Sequence, residues 1–305
     1  MNLDVIIPTY NRANLLVKTL NSLFQVASPS DLQVVVTVVD NNSKDATAEV
    51  VQRYPARYIF EANPGRSSAL NAGITHSSGD LVAMIDDDEE IAASWYPRIS
   101  DAFRHPGIDF IGGPYEPRFE VPPPKWLTGN LRGAAGWMDF GNKSQPYGPD
   151  FPGLLLGGNV VIRRSMLERI GLYNTAIGRT GNRLMTGEDD EMYARLLKAG
   201  AHGMYFPDLV VYHWIPASRL SKNYLRRWTF WAGVSEGIRE GHNHADIPRI
   251  LGIPRYRFGK LARAPFNALR RPRTTFNQEL VFWSFAGFAY GRHYFYRKSM
   301  PTSTH

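Results

Sequence analysis

Three adjacent carboxylates, Asp86-Asp87-Asp88, follow the apolar run 81–85. Burying such a trio costs several kcal/mol per group unless a cation compensates it. Strand pleating and the turn that ends it aim Asp86 and Asp88 at different parts of one ligand. Hard carboxylate oxygens suit Mg²⁺ or Mn²⁺, which take few protein ligands and complete their shell with substrate phosphates. An acidic run alone is more often a solvated turn or a helix cap, and Glu89-Glu90 extend this one. Its place at a strand end, among other polar strand ends, turns the balance toward a metal site.

A second acidic cluster, Glu188-Asp189-Asp190-Glu191, opens a helical segment containing Met192, Leu196 and Leu197. Acidic side chains at a helix start are favourable against the macrodipole. A carboxylate held near a cation and phosphates can equally take a proton from a hydroxyl. The two readings stand about even, and either Asp189 or Asp190 could be the base. Gly157-Gly158-Asn159 permits close backbone approach or a positive φ. His213, after the strand-like run 209–212, is a candidate metal or phosphate ligand, although a lone histidine is more often structural.

The elements that must position these groups follow from periodicity. The runs 3–7, 33–39, 57–61 and 81–85 read as strands. Helices are expected between them, the first capped by Asn11, the second by Asp45, the third over 67–75. Such a series predicts an α/β domain with a mainly parallel central sheet flanked by helices. Ligands sit beyond the carboxyl ends of such strands. Pro8-Thr9-Tyr10-Asn11-Arg12, Asp40-Asn41-Asn42-Ser43 and the acidic triplet occupy those ends. Residues 112–158, rich in Gly and Pro, read as long loops with short strands.

Taken together, these residues resemble the inverting family 2 glycosyltransferases of GT-A fold. Val5-Ile6-Ile7-Pro8-Thr9-Tyr10-Asn11-Arg12 matches that family's opening strand and turn. Val38-Val39-Asp40-Asn41-Asn42-Ser43 matches its nucleoside-binding turn, and the segment from Asn63 to Gly73 its donor segment. Asp86-Asp87-Asp88 matches its Asp-X-Asp element, and Glu188-Asp189 its later Glu-Asp element. The resemblance implies a nucleotide-sugar donor, uridine slightly favoured, and a sugar or lipid-linked acceptor. Pro8, Thr9 and Tyr10 would line the nucleoside pocket, and Asp40 would bond the base. Arg66 and Asn71 would approach the donor's phosphates or ribose, with Arg12, Asp87, Gly158 and Asn159 also on the donor side. Asp86 would face the ribose, while Asp88, with His213, would hold Mg²⁺ or Mn²⁺. Asp189 would be the catalytic base, with Glu188 beside it. Within the triplet, Asp87 carries no assigned chemistry and its loss is expected to matter least. The processive synthases related to this family carry Gln-X-X-Arg-Trp. Here Tyr224-Leu225-Arg226-Arg227-Trp228 lacks the glutamine, which favours transfer of single sugars.

The chain of 305 residues contains no cysteine, which excludes disulfides and thiolate chemistry. No secretory signal is visible, and no stretch reaches the ~20 apolar residues needed to cross a bilayer. A cytoplasmic protein is therefore expected. The catalytic domain is expected over 1–218, with a nucleotide-binding half to 110 and an acceptor half from 111. A basic, aromatic helical extension is expected over 219–305. The extension carries 16 Lys/Arg against 4 Asp/Glu, within a net charge of +7 for the whole chain. A basic helix is expected over 255–271, bent at Pro265. Beyond it lies an aromatic stretch with Phe282, Trp283, Phe285 and Phe288, ending in Arg297-Lys298. This pattern favours peripheral attachment to an anionic membrane, on the inner face of the cytoplasmic membrane, over packing against the catalytic domain. Two other functions compete with this one. A nucleotidyltransferase would favour a Gly-rich phosphate loop after the first strand, where Pro8-Thr9-Tyr10-Asn11-Arg12 stands. A nucleic-acid-binding module would leave the acidic clusters unexplained.

Overall fold

The computed structural model describes residues 1–129, 131–179, 184–241, 248–270 and 275–295. The chain divides into two units. The first comprises Met1–Ala176 and Glu188–Ala217, the second Ile177–Gly187 and the chain from Ser218 onward.

In the first unit the strand and helix signals alternate as the periodicity predicts. They give β1 (Asn2–Thr9), α1 (Ala13–Gln25), β2 (Gln33–Asp40), α2 (Thr47–Val51), β3 (Arg57–Phe60), α3 (Arg66–Thr75) and β4 (Leu81–Met84). β1, β2, β3 and β4 run parallel in the order β3-β2-β1-β4, so their carboxyl ends share one edge. β1 is buried on both faces. Leu3, Val5 and Ile7 pack on one side with α1, while Ile6 packs on the other with Leu70 and Ile74 of α3. α3 lies close because Gly73 faces β1: a Cβ there would come within 2.4 Å of Ile6.

The expected caps are only partly as read. Asn11 takes a positive φ of 53° and accepts a hydrogen bond from Lys44 N. The start of α1 is satisfied instead by Asp45, whose Oδ2 accepts from Ala13 N at 2.9 Å. Asp45 Oδ1 also accepts from Thr47 N, at the start of α2.

The chain continues through β5 (Glu89–Ile91), α4 (Trp95–Phe103), β6 (Phe110–Gly112), β7 (Tyr115–Phe119), α5 (Leu131–Ala135) and β8 (Gln145–Pro146). Then come β9 (Val160–Arg163), α6 (Arg164–Ile170), α7 (Glu188–Lys198), β10 (Gly203–Tyr205) and β11 (Val211–Ile215). β9 enters antiparallel between β4 and β6, and β10 and β8 extend the sheet to eight strands among the described residues. A second sheet of order β5-β11-β7 pairs His213 with Glu89. The antiparallel β9 delivers the 157–159 turn to the edge where β4 ends, and β11 brings His213 beside the triplet.

The second unit contains α8 (Lys222–Gly241), a hairpin of β12 (Arg249–Ile250) and β13 (Ile253–Pro254), α9 (Arg255–Arg270) and α10 (Thr275–Tyr290). α8 and α10 meet backbone to backbone at glycines: a Cβ on Gly233 would stand 2.4 Å from Ser284 O. Arg257 of α9 turns inward, pairs with Glu236 and sits 3.9 Å from the Phe288 ring centre. Arg271 and Arg297-Lys298 lie outside the described residues. Among the described residues no helix is long and apolar enough to cross a membrane.

Candidate active site

β4 ends at Met84, and the chain turns through Asp86-Asp87-Asp88 into β5. One arginine holds Asp86, and another holds both Asp87 and Asp88. Asp86 accepts from Arg66 Nε at 2.9 Å. Asp87 is buried, accepting from Thr9 Oγ1 at 2.8 Å and from Arg12 Nη1 at 2.9 Å. Asp88 accepts from the same Arg12 nitrogen at 2.8 Å, and its other oxygen lies 3.5 Å from His213 Nε2. Burial pushes the Asp87 carboxyl up to about 6 despite the Arg12 guanidinium beside it. Asp87 is thus a strut that ties β1, α1 and the triplet together. It also lends its backbone carbonyl to Thr19 Oγ1 at 3.0 Å. These contacts give Asp87 a structural part in the site, which the expectation that its loss matters least does not include. Arg12, expected to meet the donor, bonds Asp87 and Asp88 through Nη1 while its side chain stays 36% exposed.

Arg66 stands at the first turn of α3, preceded by Gly65 with φ 132°. Asn41 fixes this entry by accepting from Gly65 N at 2.7 Å and donating to the carbonyls of Glu61 and Asn63. Besides Asp86, Arg66 Nη1 reaches Asp189 Oδ1 at 3.1 Å and Glu188 Oε1 at 3.8 Å. Burial works against the guanidinium charge, yet Asp86, Asp189 and Glu188 together push its pKa well above the usual value. Burial likewise raises the Asp189 carboxyl to about 7, with Arg66 opposing and Glu188 adding to the rise. Of the two candidate bases, Asp189 is the one that Arg66 joins to the triplet.

Asp189 fits only because Gly157 has no side chain: a Cβ there would stand 1.9 Å from Asp189 Oδ1. Gly158 serves Glu89 in the same way, since its Cβ would lie 2.6 and 2.7 Å from the two carboxylate oxygens. Glu89 is wholly buried and closes the triplet turn by accepting from Asp86 N at 2.8 Å. Its other oxygen has no hydrogen-bond partner among the described residues. Burial, then Asp86 and Asp88, push its carboxyl well up. Tyr115 Oη accepts from Gly158 N at 2.6 Å. In the sequence Glu89 reads as an extension of an acidic run, and Tyr115 carries no motif.

Two residues expected at the donor make bracing contacts. Asn159 is fully buried, accepts from Trp95 Nε1 at 2.9 Å and donates to the carbonyls of Pro114 and Leu209. Its amide is fully used beneath the site and has no surface to offer a ligand. Asn71 clamps the backbone of Tyr173 through two bonds of 2.8 Å. At the far side, Asp40 accepts from Ser43 N and Tyr58 Oη, both at 2.8 Å. Burial and the Asp40 carboxylate raise the Tyr58 phenol to about 12. Tyr10, 52% exposed, stands on the lip beyond β1.

The donor set at Asp88 and His213 fits a divalent cation. His213 Nδ1 donates to Gly136 O at 2.7 Å, which turns Nε2 toward Asp88. Their spacing is fixed by main chain, because Trp214 N donates to Asp88 O at 2.8 Å. Among the described residues no group of three or more His, Asp or Glu converges on one point. A pair of ligands suits an ion that draws further oxygens from substrate phosphates.

The family model for glycosyl transferase family 2 matches residues 4–171, more than half of the chain and all of the sheet edge that carries the triplet. The chain belongs to this family. The succinoglycan biosynthesis protein ExoM of Rhizobium meliloti is 24% identical over 78% of this chain and 74% of its own length. An N-acetylglucosaminyltransferase of the same organism is 30% identical over 75% of this chain and 54% of its own. The chain thus spans only about half the length of several relatives it matches. Among solved structures, the mannosyltransferase PcManGT from Pyrobaculum calidifontis, in complex with GDP-Man and Mn²⁺, aligns at TM-score 0.61. That pair is 18% identical over 95% of this chain and 86% of the other. TarS of S. aureus, residues 1–349, aligns at TM-score 0.52 with 15% identity. The glycosyltransferase shares the GT-A fold with these structures, a large, mostly parallel sheet flanked by helices.

Proposed function

We propose that this family 2 glycosyltransferase transfers a single sugar, with inversion, from a nucleoside-diphosphate sugar to a hydroxyl acceptor. The observation that carries the reading is the Arg66 bridge, which ties the candidate base Asp189 to the acidic triplet at 2.9 and 3.1 Å. In this reading Asp189 takes the proton of the acceptor hydroxyl as its oxygen forms a bond to the anomeric carbon. The bond from that carbon to the diphosphate breaks, and its electron pair leaves with the nucleoside diphosphate. Glu188 lies beside the base for the sugar or acceptor, and Arg66 keeps the carboxylate aimed. Asp88 and His213 would hold Mg²⁺ or Mn²⁺, which offsets charge developing on the diphosphate. Asp86 would face the ribose, and Asp40, Pro8, Thr9 and Tyr10 the nucleoside. The succinoglycan biosynthesis protein among the relatives supports a polysaccharide-type acceptor.

The test is a screen of UDP-, GDP- and dTDP-sugars with and without Mn²⁺ or Mg²⁺, the product anomer being read by NMR. The expected outcome is metal-dependent turnover of one donor with inverted configuration, lost in Asp189→Asn while donor binding persists. Retention of configuration, or full activity in that variant, overturns the reading.

A further inference from the structure

α9 presents two different exposed sides. Ala262, Pro265, Phe266 and Leu269, spaced as one helical stripe, are all exposed, Phe266 by 54% and Leu269 by 81%. The adjoining side carries Lys260, Arg263 and Arg270, exposed as well. The two sides interlock, since the Arg270 guanidinium lies 4.2 Å over the Phe266 ring. The cation that faces inward, Arg257, is taken by Glu236. From Pro248 to Arg270 there are six Lys/Arg and no Asp or Glu. A second feature stands just before α9. Leu251, at the two-residue turn joining β12 and β13, is 80% exposed with φ 50°. Such turns favour Asn or Gly, so a bulky apolar side chain there is both strained and exposed to water. Among the described residues, seven of the thirteen exposed large hydrophobics fall from Ile250 to Tyr290.

We propose that α9 and the β12–β13 turn form a docking surface for an anionic phospholipid bilayer. Phe266, Leu269 and Leu251 enter the headgroup boundary, while Lys260, Arg263 and Arg270 meet lipid phosphates. Apolar side chains flanked by cations, on a stretch of chain that itself carries no Asp or Glu, match such a surface in both chemistry and charge. The inference is independent of the catalytic reading, because attachment is measured without turnover.

The full chain is floated with vesicles of phosphatidylcholine alone, or with about one-third phosphatidylglycerol, at ~0.1 M and ~1 M salt. Binding to the anionic vesicles only, weakened at high salt, is expected. Lys260→Glu with Arg263→Glu should weaken it at least about tenfold at low salt. Phe266→Ser with Leu269→Ser should weaken it about tenfold or more. Both variants change only exposed side chains and should melt as the parent does. Equal binding to neutral vesicles, no binding, or variants that bind like the parent overturn the proposal. So does a stable dimer that the Phe266→Ser, Leu269→Ser variant dissociates, or RNA binding without vesicle binding.

Discussion

Replacing Gly157 by alanine puts a methyl group into the space filled by the Asp189 carboxylate. The new Cβ would stand 1.9 Å from Oδ1, 2.2 Å from Cγ and 2.4 Å from Oδ2, where ordinary contact begins near 3.4 Å. The carboxylate must therefore retreat by about 1.5 Å, which breaks its 3.1 Å bond to Arg66. Gly157 is not among the glycines with positive φ, so the backbone accepts alanine and the displaced group is the side chain opposite. Misplacing a reacting group by about 1 Å costs roughly 100-fold in rate, or ~2.7 kcal/mol in the barrier. Gly157→Ala should thus lower kcat about 100-fold or more. The donor affinity, measured by calorimetry with Mn²⁺ present, should stay within about threefold, because the contacts expected for the nucleoside lie on β1 and β2. A parallel thermal melt separates this from loss of folding. Full kcat in Gly157→Ala would refute the placement of Asp189 as the base. Equal losses in kcat and donor binding would show that Gly157 serves the donor instead.

The raised Asp189 carboxyl, near 7, gives two tests. The base must be ionised, so kcat/KM should fall about tenfold per pH unit below that value, and Asp189→Asn should lose ~10²–10⁴-fold in kcat at all pH. For stability the sign runs the other way. A carboxyl whose folded pKa lies above its unfolded one stabilises the fold at low pH and loses that contribution as pH rises through about 7. Asp189→Asn should therefore raise Tm relative to the parent at pH 8 but not at pH 4, while Arg66 keeps Asp86. Asp87→Ala leaves the buried Thr9 hydroxyl without its acceptor and Arg12 with Asp88 alone. A loss of about 2 kcal/mol is expected by urea titration, discounted because the Arg12 side chain is 36% exposed. Asp88→Asn should instead abolish the Mn²⁺ dependence of donor binding with little change in stability. Asn159→Ala removes three bonds at a site with no exposed surface and should cost about 3 kcal/mol in the same titration.

Much of the site was legible because its residues stand at the ends of apolar runs, in chain order. Asp40 closes β2, the triplet follows β4, and Arg66 and Glu188 open α3 and α7. Parallel pairing then gathers the strand ends whatever their separation. What the sequence did not reveal depends on contacts between distant segments. Nothing local marks Glu89 as the group that folds back over the triplet, since its burial needs β11 on one side and Gly158 on the other. The Arg12 bond to Asp87 spans 75 residues, and the α1 cap came from Asp45 rather than Asn11, across 32. The buried bonds of Asn159 are not legible either, because an amide beside paired glycines suits a ligand as well as it suits three buried partners. The length of α9 was readable from spacing, but not which of its cations turns inward, because that is decided by Glu236 on α8.

The two arginines of the site have a consequence for how the enzyme responds to ionic strength. Arg12 and Arg66 already counter much of the negative charge of the triplet and the base, in contacts of 2.8 to 3.1 Å. A nucleoside diphosphate and a divalent cation nearly cancel one another's charge. Uptake of the pair therefore changes the net charge of the cleft little. Partly buried contacts are also poorly screened. The donor's KM should accordingly be nearly flat with added salt, so that any strong salt dependence in the whole reaction arises from another part of the molecule.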